Sequence, residues 1–140
     1  MGTLITNVLW NSEMAFKAII EEHEIMLDLG VDAGGQNLGP RPKPLLLASL
    51  GGCTAMDVIS ILRKMRVEPE YFNVKVEGEV TEEHPKHFTR IHLIYEFKGK
   101  DLPLDKLQKA VDLSQERYCG ISFTLKKAVE ITSEIKILDQ

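Results

Sequence analysis

The sequence predicts an α+β fold with elements in the order β3-α-β2-α-β: three strands, a helix, two strands, a helix and a strand. Three observations predict it. Residues 44–66 are apolar nearly all round a helix, residues 72–99 alternate apolar and polar at strand period, and residues 102–119 carry one apolar stripe at helical spacing. No βαβ unit recurs, and 140 residues suit one core, so a single domain over 1–140 is expected.

Taken in order, "TLITNVLW" (3–10), "MAFKAII" (14–20) and "HEIMLDL" (23–29) are short β-prone runs. "NSE" and "EE" separate them, as in an antiparallel meander. Residues 30–44 are rich in glycine and proline and read as a loop, with a helix beginning just beyond. In the long helix, 44–66, Leu45, Leu46, Leu47, Leu50, Met56, Val58, Ile59, Leu62 and Met65 cover most of the circumference. Arg63 to Arg66 sit in its last turn, where they suit the helix dipole. A helix apolar on all sides demands burial, and a domain this small has little to bury it with, which points to coverage by a second subunit.

"FNVKVEGEVTEEHP" (72–85) and "HFTRIHLIYEFKG" (87–99) read as a hairpin of long strands. Residues 102–119 form an amphipathic helix with Pro103 in the first turn and Leu104, Leu107, Val111 and Leu113 near one face. Gly120 interrupts it, "ISFTLKKA" adds a turn or two, and "VEITSEIKIL" (129–138) closes as a strand.

Net charge is −4, from 21 acidic and 17 basic residues, and no basic run or stripe is present. Nucleic-acid binding is therefore not expected, nor is attraction to an anionic membrane surface. The N-terminus lacks the basic start and apolar core of a secretory signal, and the apolar runs are short or broken by Gly, Ser or charge. The expectation is a cytoplasmic protein whose thiols are kept reduced.

Chemistry centres on two cysteines. Cys53 lies in "PLLLASLGGCTAMDVISIL", the greasiest stretch, and Cys119 follows 66 positions later. No CxxC is present, and two lone thiols would need further ligands, so spacing gives no metal site. Two thiols are the minimum for a cycle in which a sulfenic acid condenses to a disulfide. On composition alone, two inert packed thiols are the more ordinary reading. Bonding would require Cα atoms within roughly 7 Å of each other.

"PLLLASLGGCTAMDVISILRKMR", the turn "TEEHP" and "AVDLSQERYCGISFTL", in this order along essentially the whole chain, resemble the OsmC family, which includes the organic hydroperoxide resistance proteins. The resemblance implies an OsmC-like fold and an intertwined homodimer whose buried central helices pack together. It implies thiol-dependent reduction of organic hydroperoxides, with Cys53 as peroxidatic and Cys119 as resolving cysteine. An external thiol or dithiol would be the reductant, and no metal or organic cofactor is implied.

The departures fall at the active site. Family members place an arginine in the N-terminal region and a glutamate near the start of the cysteine helix. Here residues 1–40 hold no arginine, Lys17 is their one lysine, and Lys43 in "PKP" stands where the glutamate would. Arg41 and Lys43 are the candidates for a substitute positive charge. Asp57, one turn beyond Cys53, would raise the thiol pKa if it faced the sulfur. Gly120 stands where a proline often follows the second cysteine. These gaps keep open a second reading, a non-catalytic protein that holds an apolar ligand or senses oxidants in the dimer groove.

The remaining candidates read as structure. His84 and His87 bracket Pro85 at a solvated turn, and His23 and His92 are half-buried strand residues. Gly51-Gly52 lacks the context of a phosphate loop. Those glycines admit another backbone, or admit substrate to Cys53. Glu116 and Arg117 belong to a wet helix face.

Overall fold

The computed structural model describes residues 2–139, which divide after Leu46 into two units. In the first, β1 (Thr6–Ser12), β2 (Ala15–Ile20) and β3 (His23–Leu27) form the expected antiparallel meander in the order β1-β2-β3. The register pairs Thr6 with Ile20 and Phe16 with Leu27. The polar separators supply the turns: Glu13 and Glu21 both take left-handed backbone, at φ 50° and 55°. Beyond β3 the chain is tied by one carboxylate. Asp28 accepts the backbone N–H of Leu29 (2.7 Å), Gln36 (3.0 Å) and Leu38 (3.2 Å). Gly39 closes this loop against β3 so tightly that a Cβ there would lie 1.9 Å from the Met26 carbonyl oxygen.

Helix α1 (Pro42–Lys64) begins two residues earlier than expected, because Pro42 and Pro44 fit inside a first turn whose N–H groups have no intrahelical partner anyway. The division between the units falls within it. In the second unit its buried positions are Leu50, Gly51, Thr54, Val58 and Leu62, a single stripe at four-residue spacing. Burial on all sides is therefore not met inside one chain: Met56, on another face, is 75% exposed. By length and composition α1 would also suffice to cross a membrane, with a mean hydropathy of 1.9 over its most apolar window. The expectation that every apolar run is too broken to do so was too strict, since Gly, Ser and Thr lower hydropathy only slightly.

The second sheet pairs β4 (Tyr71–Val80) antiparallel to β5 (Phe88–Lys98), and β5 parallel to β6 (Glu130–Ile137). Helices α2 (Leu104–Leu113) and α3 (Gly120–Leu125) form the crossover that a parallel pair requires. Central β5 turns Ile91, Leu93, Tyr95 and Phe97 inward, all fully buried, and they pack with Leu50, Val58, Leu62, Leu107 and Val111. Gly51 lets α1 approach β4, since a Cβ there would lie 2.9 Å from Val76 Cγ2. Gly52 meets nothing within 4 Å.

One boundary differs in a way that matters for the site. The amphipathic helix does not run to Cys119. It ends at Leu113 and widens into a π-turn, Ser114–Tyr118, closed by a 2.8 Å bond from Cys119 N–H to the Ser114 carbonyl. Cys119 then leaves helical backbone (φ −77°, ψ 100°) and becomes the N-cap of α3, its Sγ accepting the Ser122 N–H at 3.4 Å. The break lies at the cysteine, and Gly120 is the first residue of α3.

Candidate functional site

Both cysteines are free thiols of the second unit. Cys53 sits at mid-helix on α1, half-buried, and Asp57 lies one turn on along the same face. The π-turn and the start of α3 deliver Cys119, which is 3% exposed, to the same place. The two sulfurs and an Asp57 carboxylate oxygen all lie within 4.8 Å of one another. The fold thus joins two thiols 66 positions apart in sequence.

A chain of hydroxyls backs this cluster, and its polarity follows from the donors available. Gln115 Nε2 donates to Thr54 Oγ1 (3.1 Å) and to Tyr95 OH (3.0 Å). Ser114 Oγ donates to Asp57 Oδ2 (2.9 Å), since a carboxylate only accepts. Ser114 must then accept from Thr54 Oγ1 (2.7 Å), and Thr54 must accept from Tyr95 OH (2.7 Å). Protons therefore point one way, Tyr95 to Thr54 to Ser114 to Asp57. Gln115 Oε1 accepts from Ser122 Oγ (3.1 Å), and Lys126 Nζ donates to the Gln115 carbonyl (2.7 Å), fixing the π-turn. Thr54, Tyr95, Ser114 and Ser122 are all fully buried. Burial pushes the Tyr95 hydroxyl up to about 12, against the lowering effect of its bonds to Thr54 and Gln115, so it stays a neutral donor.

The electrostatics at Cys53 are mixed. Burial pushes its thiol up, the Ile121 N–H opposes this, and Cys119 and Asp57 both add to the rise. None of these influences is a cation. Arg41, one candidate for that role, bonds within the first unit, its Nη1 donating to Asn37 Oδ1 (2.7 Å) and to the Gly39 carbonyl (3.3 Å). Lys43 is exposed. Asp57 does face the sulfur, which meets the condition under which it raises the thiol.

His23, expected to be half-buried, is exposed, because it is the first residue of β3 beside the Glu21–Glu22 turn; the other candidates fall where the sequence put them. His87 donates from Nδ1 to the Pro85 carbonyl (2.6 Å) in an exposed turn, and His92 sits between Thr132 and Glu134 on the strand surface. Glu116 and Arg117 are exposed. The sequence reading missed Thr54, Tyr95, Ser114, Gln115 and Ser122. A signal existed for two of them: Thr54 and Tyr95 are polar residues at positions where the Leu50–Leu62 stripe and the inward period of β5 call for apolar ones. As for metal-binding capacity, spacing counted two ligands, and the fold adds the Asp57 carboxylate as a third.

Comparison with known proteins agrees with this architecture. A profile of the OsmC-like protein family matches residues 34–134. Protein YhfA of Escherichia coli K12 is 38% identical over 116 residues, 83% of this chain and 84% of its own. The crystal structure of a hypothetical protein from Aquifex aeolicus VF5 superposes with a TM-score of 0.82 at 30% identity, covering 99% of this chain and 100% of that one. An organic hydroperoxide resistance protein OsmC from Legionella pneumophila superposes at 0.70 with 15% identity, over 97% of this chain and 98% of its own, a likeness of fold.

Proposed function

Because this chain belongs to the OsmC-like family, we propose that it serves redox stress defence as a thiol-dependent peroxidase acting on organic hydroperoxides. The observation that carries this reading is the meeting of two free thiols within 4.8 Å. Cys53, the more exposed of the two, takes the peroxidatic role, and buried Cys119 the resolving one.

In the first step the Cys53 thiolate attacks the distal peroxide oxygen. The O–O bond breaks, the alcohol leaves with a proton, and Cys53 becomes a sulfenic acid. The Cys119 sulfur then attacks the Cys53 sulfur, the S–S bond forms and water leaves. An external thiol or dithiol returns two electrons and restores both thiols. Leu47, Ile61, Ile121 and Leu125 pack on the same core as Cys53, surroundings that favour an alkyl peroxide over hydrogen peroxide. The reading includes a cytoplasmic homodimer, in which a second copy would cover the face of α1 that carries exposed Met56.

The rival reading, a protein that holds an apolar ligand without turnover, is favoured by one observation: the groups acting on Cys53 disfavour its thiolate on balance. Following the loss of cumene hydroperoxide and hydrogen peroxide with a dithiol separates the two. The peroxidase reading requires fast loss of the organic peroxide, weaker loss of the other, and silence in Cys53→Ser. Turnover no greater than that of the variant would leave the binding reading.

A further inference from the structure

We propose that Cys53, Asp57 and Cys119 form a three-ligand site for a divalent cation of the zinc type, with its fourth position open to water. The inference uses the thiols of the proposed peroxidase but does not depend on turnover.

The donors suit such an ion: cysteine sulfur and carboxylate oxygen both bind zinc, and three protein ligands leave the open position typical of reactive rather than purely structural sites. Their placement suits it too. Cys53 and Asp57 are four residues apart on one helix face, the spacing at which a helix presents two ligands to one ion. Cys119 arrives from the N-cap of α3. With metal–sulfur bonds near ~2.3 Å and metal–oxygen near ~2.1 Å, a tetrahedral ion sets sulfurs about 3.8 Å apart and sulfur from oxygen about 3.6 Å. The three donor atoms now lie within 4.8 Å of one another, so side-chain movements of about 1 Å would close the site.

Outer contacts are already in place. Ser114 Oγ donates to Asp57 at 2.9 Å, and the Ser122 N–H reaches Cys119 Sγ at 3.4 Å. Bonds of this kind orient metal ligands and temper the charge of bound thiolates. Charge balance points the same way. Among the described residues Asp57 takes part in no ion pair, so no cation is bonded to the carboxylate that stands beside the two sulfurs. A divalent ion binding two thiolates and that carboxylate would release two protons and leave a net charge of −1 at the site. A small cleft of about 150 Å³, lined by Asp57, Ser60, Ile61, Lys64 and Tyr118, borders the carboxylate and gives water access to it. While bound, the ion would occupy both sulfurs and shield them from alkylation and peroxide.

The test is anaerobic titration of the reduced, full-length protein with Co²⁺, followed by displacement with Zn²⁺. The proposal predicts one Co²⁺ per chain, a sulfur-to-cobalt charge-transfer band and the visible bands of a tetrahedral site. Asp57→Asn should keep the charge-transfer band but bind at least about tenfold more weakly. Cys53→Ser and Cys119→Ser should each lose about half of the band per bound cobalt. In wild type, which needs no folding control, saturating Zn²⁺ should slow iodoacetamide labelling of both thiols. A wild-type protein with two titratable thiols and no cobalt–sulfur band overturns the proposal, as does an Asp57→Asn variant that binds as tightly as wild type. Turnover of metal-free protein, measured separately with chelator present, decides the peroxidase reading, so either can fail alone.

Discussion

Thr54→Val tests the hydroxyl chain behind the thiols. Valine keeps the shape of threonine but can neither give Ser114 its proton nor accept from Tyr95 and Gln115, bonds of 2.7, 2.7 and 3.1 Å around a fully buried side chain. At about 1 kcal/mol net per bond the loss is about 3 kcal/mol, and the added methyl returns ~1 kcal/mol of burial, leaving a net destabilisation of ~2 kcal/mol. With a urea slope of about 2 kcal/mol per molar, the unfolding midpoint should fall by about 1 M. The assay is urea denaturation followed by circular dichroism, at one fixed protein concentration because association would shift the midpoint. A double-mutant cycle with Tyr95→Phe should return a coupling of at least ~0.5 kcal/mol, since the two hydroxyls bond directly. A midpoint shift below about 0.3 M, or no coupling, would refute the claim that these groups form one satisfied network.

Three further outcomes follow from the same structure. Asp57→Asn removes one of the groups that raise the Cys53 thiol, so the pH profile of its alkylation, read by mass spectrometry in a Cys119→Ser background, should move to lower pH; an unmoved profile would contradict the contact. For Asp28, burial pushes the carboxyl up, but the N–H donors of Leu38, Leu29 and Gln36 and the charge of Arg41 outweigh it, so its pKa lies below the ordinary 3.8. Its contribution to stability is therefore complete above that value and is lost as pH falls through the lower one; Asp28→Asn should abolish that acid-limb change in the fluorescence of Trp10, the single tryptophan. Phe97→Ala deletes a fully buried ring stacked on Phe72 at 4.6 Å and should cost about 3–5 kcal/mol in the same urea assay.

What the sequence disclosed depended on periodicity. The β4–β5 hairpin, the meander before it and the helix around Cys53 were legible because their apolar spacing repeats over many residues. The π-turn was not. Residues 114–118 fit a continuing amphipathic helix equally well, and only the bonds of Ser114 and Gln115 with distant Thr54 and Tyr95 show why it widens there. For the same reason the site was legible as residues but not as an arrangement. Cys53 and Cys119 stood out by type, and Asp57 by its helical offset from Cys53. Thr54, by contrast, finds its partners 41 and 60 positions away, in Tyr95 and Ser114, a separation no local pattern encodes. Apolarity all round α1 called for more cover than one small domain supplies, and within one chain a single stripe of it builds the core while Met56 stays exposed.

The central claim, that Cys53 and Cys119 act as one redox pair, is tested most directly by adding one equivalent of cumene hydroperoxide to the reduced protein and mapping its peptides. A redox pair gives loss of two hydrogens, a single cross-linked peptide joining Cys53 to Cys119, and a sulfenic acid trapped at Cys53 in Cys119→Ser. Two thiols still free after the peroxide is added, or oxidation of Cys119 with Cys53 untouched, would contradict it.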